Sequence, residues 1–124
     1  MLKTIFFIAI GGAIGSVCRY FVTLATARLC NNSFPIGTFA TNIFGCLLMG
    51  ISIGFLQKNN LLDSNLKWFL VTGFCGGFTT FSAFAFENQV LLTGQNYLLS
   101  LLYIGLSIFL GIMAIGLGLF MTKL

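Results

Sequence analysis

The sequence predicts an all-α integral membrane protein with four transmembrane helices, the third of which is broken in mid-membrane. Of its 124 residues, 58% are hydrophobic and only 6% are charged, whereas soluble domains carry about 25% charged residues. Four apolar runs alternate with short polar breaks, and each run reaches the roughly 20 residues that span a bilayer. Residues 1–124 therefore form a single transmembrane unit without room for a second domain.

The first two runs are predicted to be uninterrupted helices. The first covers about residues 4–27, and its end resembles a signal-peptide cleavage site at 25–27. Arg19 lies between the apolar core and that site, so we interpret the run as a retained span. The second begins at Pro35, a residue suited to the first turn of a helix, and continues without charge to about residue 56.

The third run, about residues 67–92, contains the predicted break. Glycine costs a helix roughly 1 kcal/mol relative to alanine, so the adjacent Gly76 and Gly77 are the predicted position of that break. Two threonines follow, and then Phe81 and Phe84, which are three apart and share a helical face. Broken backbone in hydrocarbon must face protein, ions or water, and the pattern favours an ion pathway. The alternative is a glycine-rich contact between packed helices.

Polar side chains in the other spans extend this interpretation. The fourth run, about residues 97–121, is uncharged and places Tyr103 and Ser107 four apart on one face. Their hydroxyls either line a polar track or bond to helix backbone. Asn42 needs hydrogen-bond partners in the membrane, so it either donates to an anion or joins two helices. Arg19 either snorkels to the far interface or acts as a buried cation near an ion entrance.

The composition excludes several classes of function. Histidine is absent, and the only acids are Asp63 and Glu87. The commonest general base and the paired carboxylates of hydrolases are therefore missing, and we predict that the protein is not an enzyme. Six cations are too sparse for a nucleic-acid footprint. Glu87 lies toward the end of the third run, so we interpret it as a residue near the interface.

The cations and the glycines bear on topology and assembly. With four spans, both termini and the middle loop lie on one side of the membrane, and that side carries four lysines: Lys3, Lys58, Lys67 and Lys123. The other side carries Arg28, together with Arg19 if it snorkels. The positive-inside rule therefore favours cytoplasmic termini.

Small residues four apart allow helices to approach closely. Three such pairs offer more contact faces than one four-helix unit needs and predict oligomerisation: Gly11/Gly15, Gly50/Gly54 and Gly73/Gly77.

Three segments resemble the Fluc (CrcB) family of small fluoride channels. They are Gly11-Gly12-Ala13-Ile14-Gly15 leading to Arg19-Tyr20, Pro35-Ile36-Gly37-Thr38-Phe39 leading to Asn42 and Gly45, and Gly73 through Phe84. The third segment is highly specific. The resemblance implies an antiparallel, dual-topology homodimer with two pores in the lipid of a bacterial inner membrane. It also implies passive electrodiffusive export of fluoride from the cytoplasm, giving fluoride resistance.

The resemblance also implies a role for individual residues. Carbonyls of Gly76 and Thr79 from both subunits would hold a structural sodium ion, and Arg19 would lie near the vestibule. Gly111 stands where the family's polar track continues with a hydroxyl residue, which is a departure from the pattern. The residues expected to line the fluoride pore are Phe81, Phe84, Asn42, Tyr103, Ser107, Thr80 and Ser82.

Two other classes of protein compete with a channel. A small proton-coupled drug exporter also has four spans, but it needs a titratable carboxylate at membrane depth. The first span has no carboxylate, and Glu87 lies toward the end of the third. A non-transporting assembly protein would have no use for a helix break or paired phenylalanines. Substitution of those phenylalanines discriminates a channel from a scaffold.

Overall fold

The computed structural model describes residues 1–29 and 34–123, and it confirms four helical spans that are long and apolar enough to cross a membrane. Three of the spans are single helices, and the third is divided into four segments. In chain order the elements are α1 (Leu2–Leu29), α2 (Ile36–Lys58), α3 (Asn65–Lys67), a π-helix (Trp68–Cys75), α4 (Gly76–Phe78), α5 (Phe81–Thr93) and α6 (Tyr97–Lys123).

The break in the third span lies two residues beyond its predicted position. Gly76 has ordinary helical dihedrals (φ −64°, ψ −36°), and both Gly76 and Gly77 belong to α4. The chain leaves the helix at Thr79 (ψ 157°) and Thr80 (φ −149°, ψ 119°), both extended, and α5 starts at Phe81. The prediction that Gly76 and Gly77 break the helix is therefore wrong, although the span is broken as expected.

The glycines serve close helix packing instead. A Cβ on Gly15 would collide with the backbone of the π-helix, and a Cβ on Gly77 would lie 2.5 Å from the carbonyl oxygen of Gly12. On α2, a Cβ on Gly50 would collide with the backbone of α6 at Ile115, and a Cβ on Gly54 would collide with the side chain of Thr122. All three predicted glycine pairs are thus used within one chain, and the inference that they leave surplus faces for oligomerisation is wrong. Any contact between subunits must use another surface.

The π-helix was not anticipated from the sequence. Its wider turns are seen in the bond from the N–H of Gly76 to the carbonyl of Val71, five residues earlier. The π-helix packs mainly along α1, whereas α2 packs mainly along α6. Since π-helical turns are rare and frequently occur at functional sites, their place directly before the break directs attention to that region.

Candidate functional site

A cavity of about 340 Å³ lies beside the break in the third span. Its walls come from α2, from the extended residues of the break, and from α5 and α6. None of the described residues that line the cavity is charged. These lining residues are Asn42, Gly45, Cys46, Met49, Thr79, Thr80, Phe81, Phe84, Ser107, Ile108 and Ile115. The cavity therefore joins parts of three spans that the sequence analysis singled out separately.

Asn42 ties α2 to the break. Its Oδ1 accepts from the backbone N–H of Thr80 at 2.8 Å, and its Nδ2 donates to the carbonyl of Thr80 at 3.1 Å. The side-chain amide thus replaces the helical hydrogen bonds that Thr80 lacks. Since a primary amide has two N–H donors, one N–H of Asn42 remains for another partner, and Asn42 lines the cavity.

Thr80 starts α5 as well as ending the break. Its Oγ1 accepts from the N–H of Ala83 at 3.3 Å, which is the usual bond of an N-cap threonine. The hydroxyls of Thr80 and Ser82 lie 3.3 Å apart. Ser82 is exposed and is not among the lining residues, so the structure brings it next to the predicted pore hydroxyl but not into the cavity itself.

Phe81 and Phe84 project from the first turn of α5 and both line the cavity. Their ring centroids are 5.9 Å apart with an interplanar angle of 41°, so the predicted shared face is present. Phe84 is half-buried and meets the ring of Tyr103 edge-on at 4.9 Å. Phe81 is 80% exposed, which leaves the cavity open at the surface of a single chain.

The two predicted hydroxyls of the fourth span have different surroundings. Ser107 lines the cavity, and its Oγ is buried without a hydrogen-bond partner in the described part of the chain. Tyr103 is completely buried and donates its hydroxyl to Glu87 Oε2 at 2.8 Å. Tyr103 is not among the lining residues. Of these two hydroxyls, that of Ser107 is the one available to the cavity.

Glu87 has a role that sequence reasoning missed. Its second carboxylate oxygen accepts from Thr38 at 2.5 Å, so the carboxylate joins α5 to both α2 and α6. The interpretation as an interfacial residue overlooked a signal: an acid inside a span is a functional-site hypothesis by default, and Glu87 follows Phe84 by three residues on one face. Glu87 is not among the residues that line the cavity.

Of the remaining predicted site residues, Thr79 lines the cavity, whereas Gly76 and Arg19 do not. In a continuous helix the N–H of Thr80 would bond to the carbonyl of Gly76, but it bonds to Asn42 instead. Thr79 is extended, so its carbonyl is not aligned with the carbonyls of the helix that precedes it. Arg19 is half-buried in α1 and does not line the cavity.

An uncharged, donor-bearing cavity at a break in a membrane span defines a multi-pass membrane protein with an intramembrane polar site. The chain belongs to the CrcB family, since the profile described as "CrcB-like protein, Camphor Resistance (CrcB)" matches residues 6–119. Members of this family are ion channels and not enzymes, and the chain is a multi-pass protein of the bacterial inner membrane.

Three relatives named "Fluoride-specific ion channel FluC" are similar over nearly their whole length. The protein of Flavobacterium psychrophilum is 52% identical over 98% of both chains. That of Azobacteroides pseudotrichonymphae is 49% identical over 99% of this chain and 98% of its own. That of Maridesulfovibrio salexigens is 41% identical over 95% of this chain and 94% of its own.

Proposed function

We propose that this protein is a fluoride-selective channel that lets fluoride leave the cytoplasm by passive electrodiffusion and so confers fluoride resistance. The observation that carries the proposal is the unpartnered hydroxyl of Ser107 in an uncharged cavity beside the helix break. An unpaired polar atom buried in a membrane protein is costly, and an anion passing through the cavity would be its missing partner. The relatives named fluoride-specific ion channels support fluoride as that anion.

The lining groups suit a small and strongly basic anion. Ser107 and the remaining N–H of Asn42 can each donate one hydrogen bond. The positive edges of Phe81 and Phe84 can supplement these donors. These donors would replace part of the hydration of fluoride in an apolar space. None of the described lining residues is a cation that would hold the ion too tightly for release.

The exposed wall of the cavity supports a homodimer. With Phe81 80% exposed, a single chain leaves the ion path open to lipid. A second copy packed against this face would close it. In the antiparallel, dual-topology arrangement that we propose, the twofold axis would generate two equivalent pores.

The carbonyls at the break fit a structural sodium ion at the centre of that dimer. The backbone N–H that would occupy the Gly76 carbonyl in a helix is diverted to Asn42, and Thr79 is extended. Oxygen ligands suit hard cations, and a twofold axis would double two carbonyls to four. Bound there, the ion would neutralise carbonyl dipoles and fix the distance between the two breaks.

A proton-coupled exporter is the second candidate, and Glu87 is the observation that favours it. Such a carrier needs a carboxylate within the membrane, and Glu87 is held there by two hydroxyl donors. The carboxylate does not line the cavity, however, so it is not placed to exchange a proton with a cargo bound there. For this reason we favour the channel.

Ion efflux from liposomes tests the proposal. With valinomycin present, the purified protein should release fluoride rapidly and retain chloride, without any need for a proton gradient. The double variant Phe81→Ile/Phe84→Ile should fold and lose fluoride efflux. The matched control Phe109→Ile/Phe120→Ile changes two exposed rings of α6 that do not line the cavity, and it should conduct normally. Wild-type efflux from the first double variant would refute the assigned pore.

A further inference from the structure

Two sulfur-containing residues line the same cavity, and neither has a part in the proposed passage of fluoride. Cys46 and Met49 both line it, and both are half-buried. They lie three apart on α2, a spacing that places their Cβ atoms about 5–6 Å from each other on one helical face. We propose that the thiolate of Cys46 and the thioether of Met49 form a binding site for a soft monovalent cation such as Cu⁺ or Ag⁺.

Gly111 of α6 packs against the thiol. The sulfur of Cys46 lies 3.5 Å from the position that a Cβ on Gly111 would occupy, which is an ordinary van der Waals distance. Gly111 is buried and is not among the described residues that line the cavity. In the proposed site, α6 therefore closes one side of the thiol, and the cation approaches from the cavity that Cys46 and Met49 line.

The set of ligands determines the class of cation. Thiolate and thioether sulfur select soft metals, whereas hard divalent ions require several oxygen ligands. No carboxylate is among the described residues that line the cavity, so calcium and magnesium have no suitable site there. On binding, the thiol of Cys46 loses its proton to water and the sulfur forms a bond to the metal, with no change of oxidation state. The unpartnered hydroxyl of Ser107 is available as a weak third ligand.

Binding would obstruct the cavity. Cys46 and Met49 line the same 340 Å³ cavity as Asn42, Phe81 and Ser107. A cation held by the two sulfur atoms would therefore occupy the space that the permeating anion needs. This consequence rests on the proposed channel function, but the binding of the metal itself does not. Ag⁺ should therefore inhibit fluoride efflux through a thiol that lies inside the pore.

The binding is tested first, without any measurement of transport. In a Cys18→Ser/Cys30→Ser background, the remaining thiols are Cys46 and Cys75, of which Cys75 is 1% exposed. N-ethylmaleimide should label Cys46, and Ag⁺, added as nitrate in chloride-free buffer, should protect it. Met49→Leu should raise the Ag⁺ concentration needed for protection by about tenfold or more, as for other losses of metal-site support. The control Met113→Leu alters an exposed methionine of α6 and should not change it.

Efflux measurements then test the position of the site. Ag⁺ should block fluoride release by the wild type and spare Cys46→Ser. Failure of Ag⁺ to protect Cys46, or equal protection in Met49→Leu, would overturn the two-sulfur site. Protection of Cys46 with undiminished efflux would refute its position in the ion path. If the protein released no fluoride even without Ag⁺, the channel proposal would fail, and the labelling result would still decide whether the metal site exists.

Discussion

Replacing Ser107 with alanine should make the protein no less stable and yet a poorer channel. The Oγ of Ser107 is buried without a partner among the described residues, so its removal deletes a desolvated polar atom and breaks none of the described hydrogen bonds. The same helix offers a matched control seven residues earlier. Ser100 is 1% exposed, and its hydroxyl donates to Asn88 Oδ1 at 2.9 Å.

The magnitudes follow from these two environments. An unsatisfied buried donor costs about 1–3 kcal/mol, although hydrogen bonds within membranes average nearer 0.6 kcal/mol. Ser107→Ala should therefore change the free energy of unfolding by between zero and about 1 kcal/mol in the stabilising direction. Ser100→Ala removes a bond and leaves Asn88 Oδ1 without that donor, so it should destabilise by about 1–3 kcal/mol. A hydrogen bond to an anion contributes about 1.5–3 kcal/mol, so losing the Ser107 donor should slow fluoride efflux about tenfold to a hundredfold.

Both quantities are measurable on the same preparations. Unfolding in mixed micelles of rising SDS content, followed by circular dichroism, reports stability, and efflux from liposomes reports transport. If Ser107→Ala were destabilised as strongly as Ser100→Ala, the hydroxyl must have a partner, and the argument from an unpaired atom would be refuted. Undiminished efflux with unchanged stability would show that the hydroxyl does not meet the ion.

Three further perturbations test the packing and the polar contacts around the site. Asn42→Ala leaves both backbone groups of Thr80 without side-chain partners, and it should lower the free energy of unfolding by about 1–3 kcal/mol and also slow efflux. Gly15→Ala forces α1 away from the π-helix and should cost about 1–3 kcal/mol in thermal denaturation, whereas Gly105→Ala, with nothing within 4 Å, should be neutral or stabilising. Glu87→Leu should lower the free energy of unfolding by a similar amount, because the hydroxyls of Thr38 and Tyr103 lose their acceptor. Glu87→Gln should recover most of that loss. Equal free energies of unfolding for the two variants would contradict the role of these hydrogen bonds.

The glycines and the break of the third span differ from prediction for one physical reason: both depend on contacts with residues distant in sequence. Glycine weakens a helix, yet Gly76 and Gly77 are both helical. Gly77 is needed where α1 packs closely against the third span, since a Cβ there would lie 2.5 Å from the carbonyl oxygen of Gly12. The actual break occurs where Asn42, 38 residues away, provides replacement partners for Thr80. Broken backbone in hydrocarbon must be satisfied by protein, ions or water, and the sequence around the break does not identify the partner.

Three features of the protein are predictable from the residues alone: the four spans, the presence of a break in the third span, and the shared face of Phe81 and Phe84. Hydropathy and helical periodicity are local properties, so a window of about 20 residues contains the necessary information. Two other features depend on tertiary packing: Tyr103 donates to Glu87, and the Oγ of Ser107 has no hydrogen-bond partner among the described residues. Which polar groups meet depends on how helices distant in sequence pack and rotate against one another, and that arrangement leaves the Ser107 hydroxyl available to an ion.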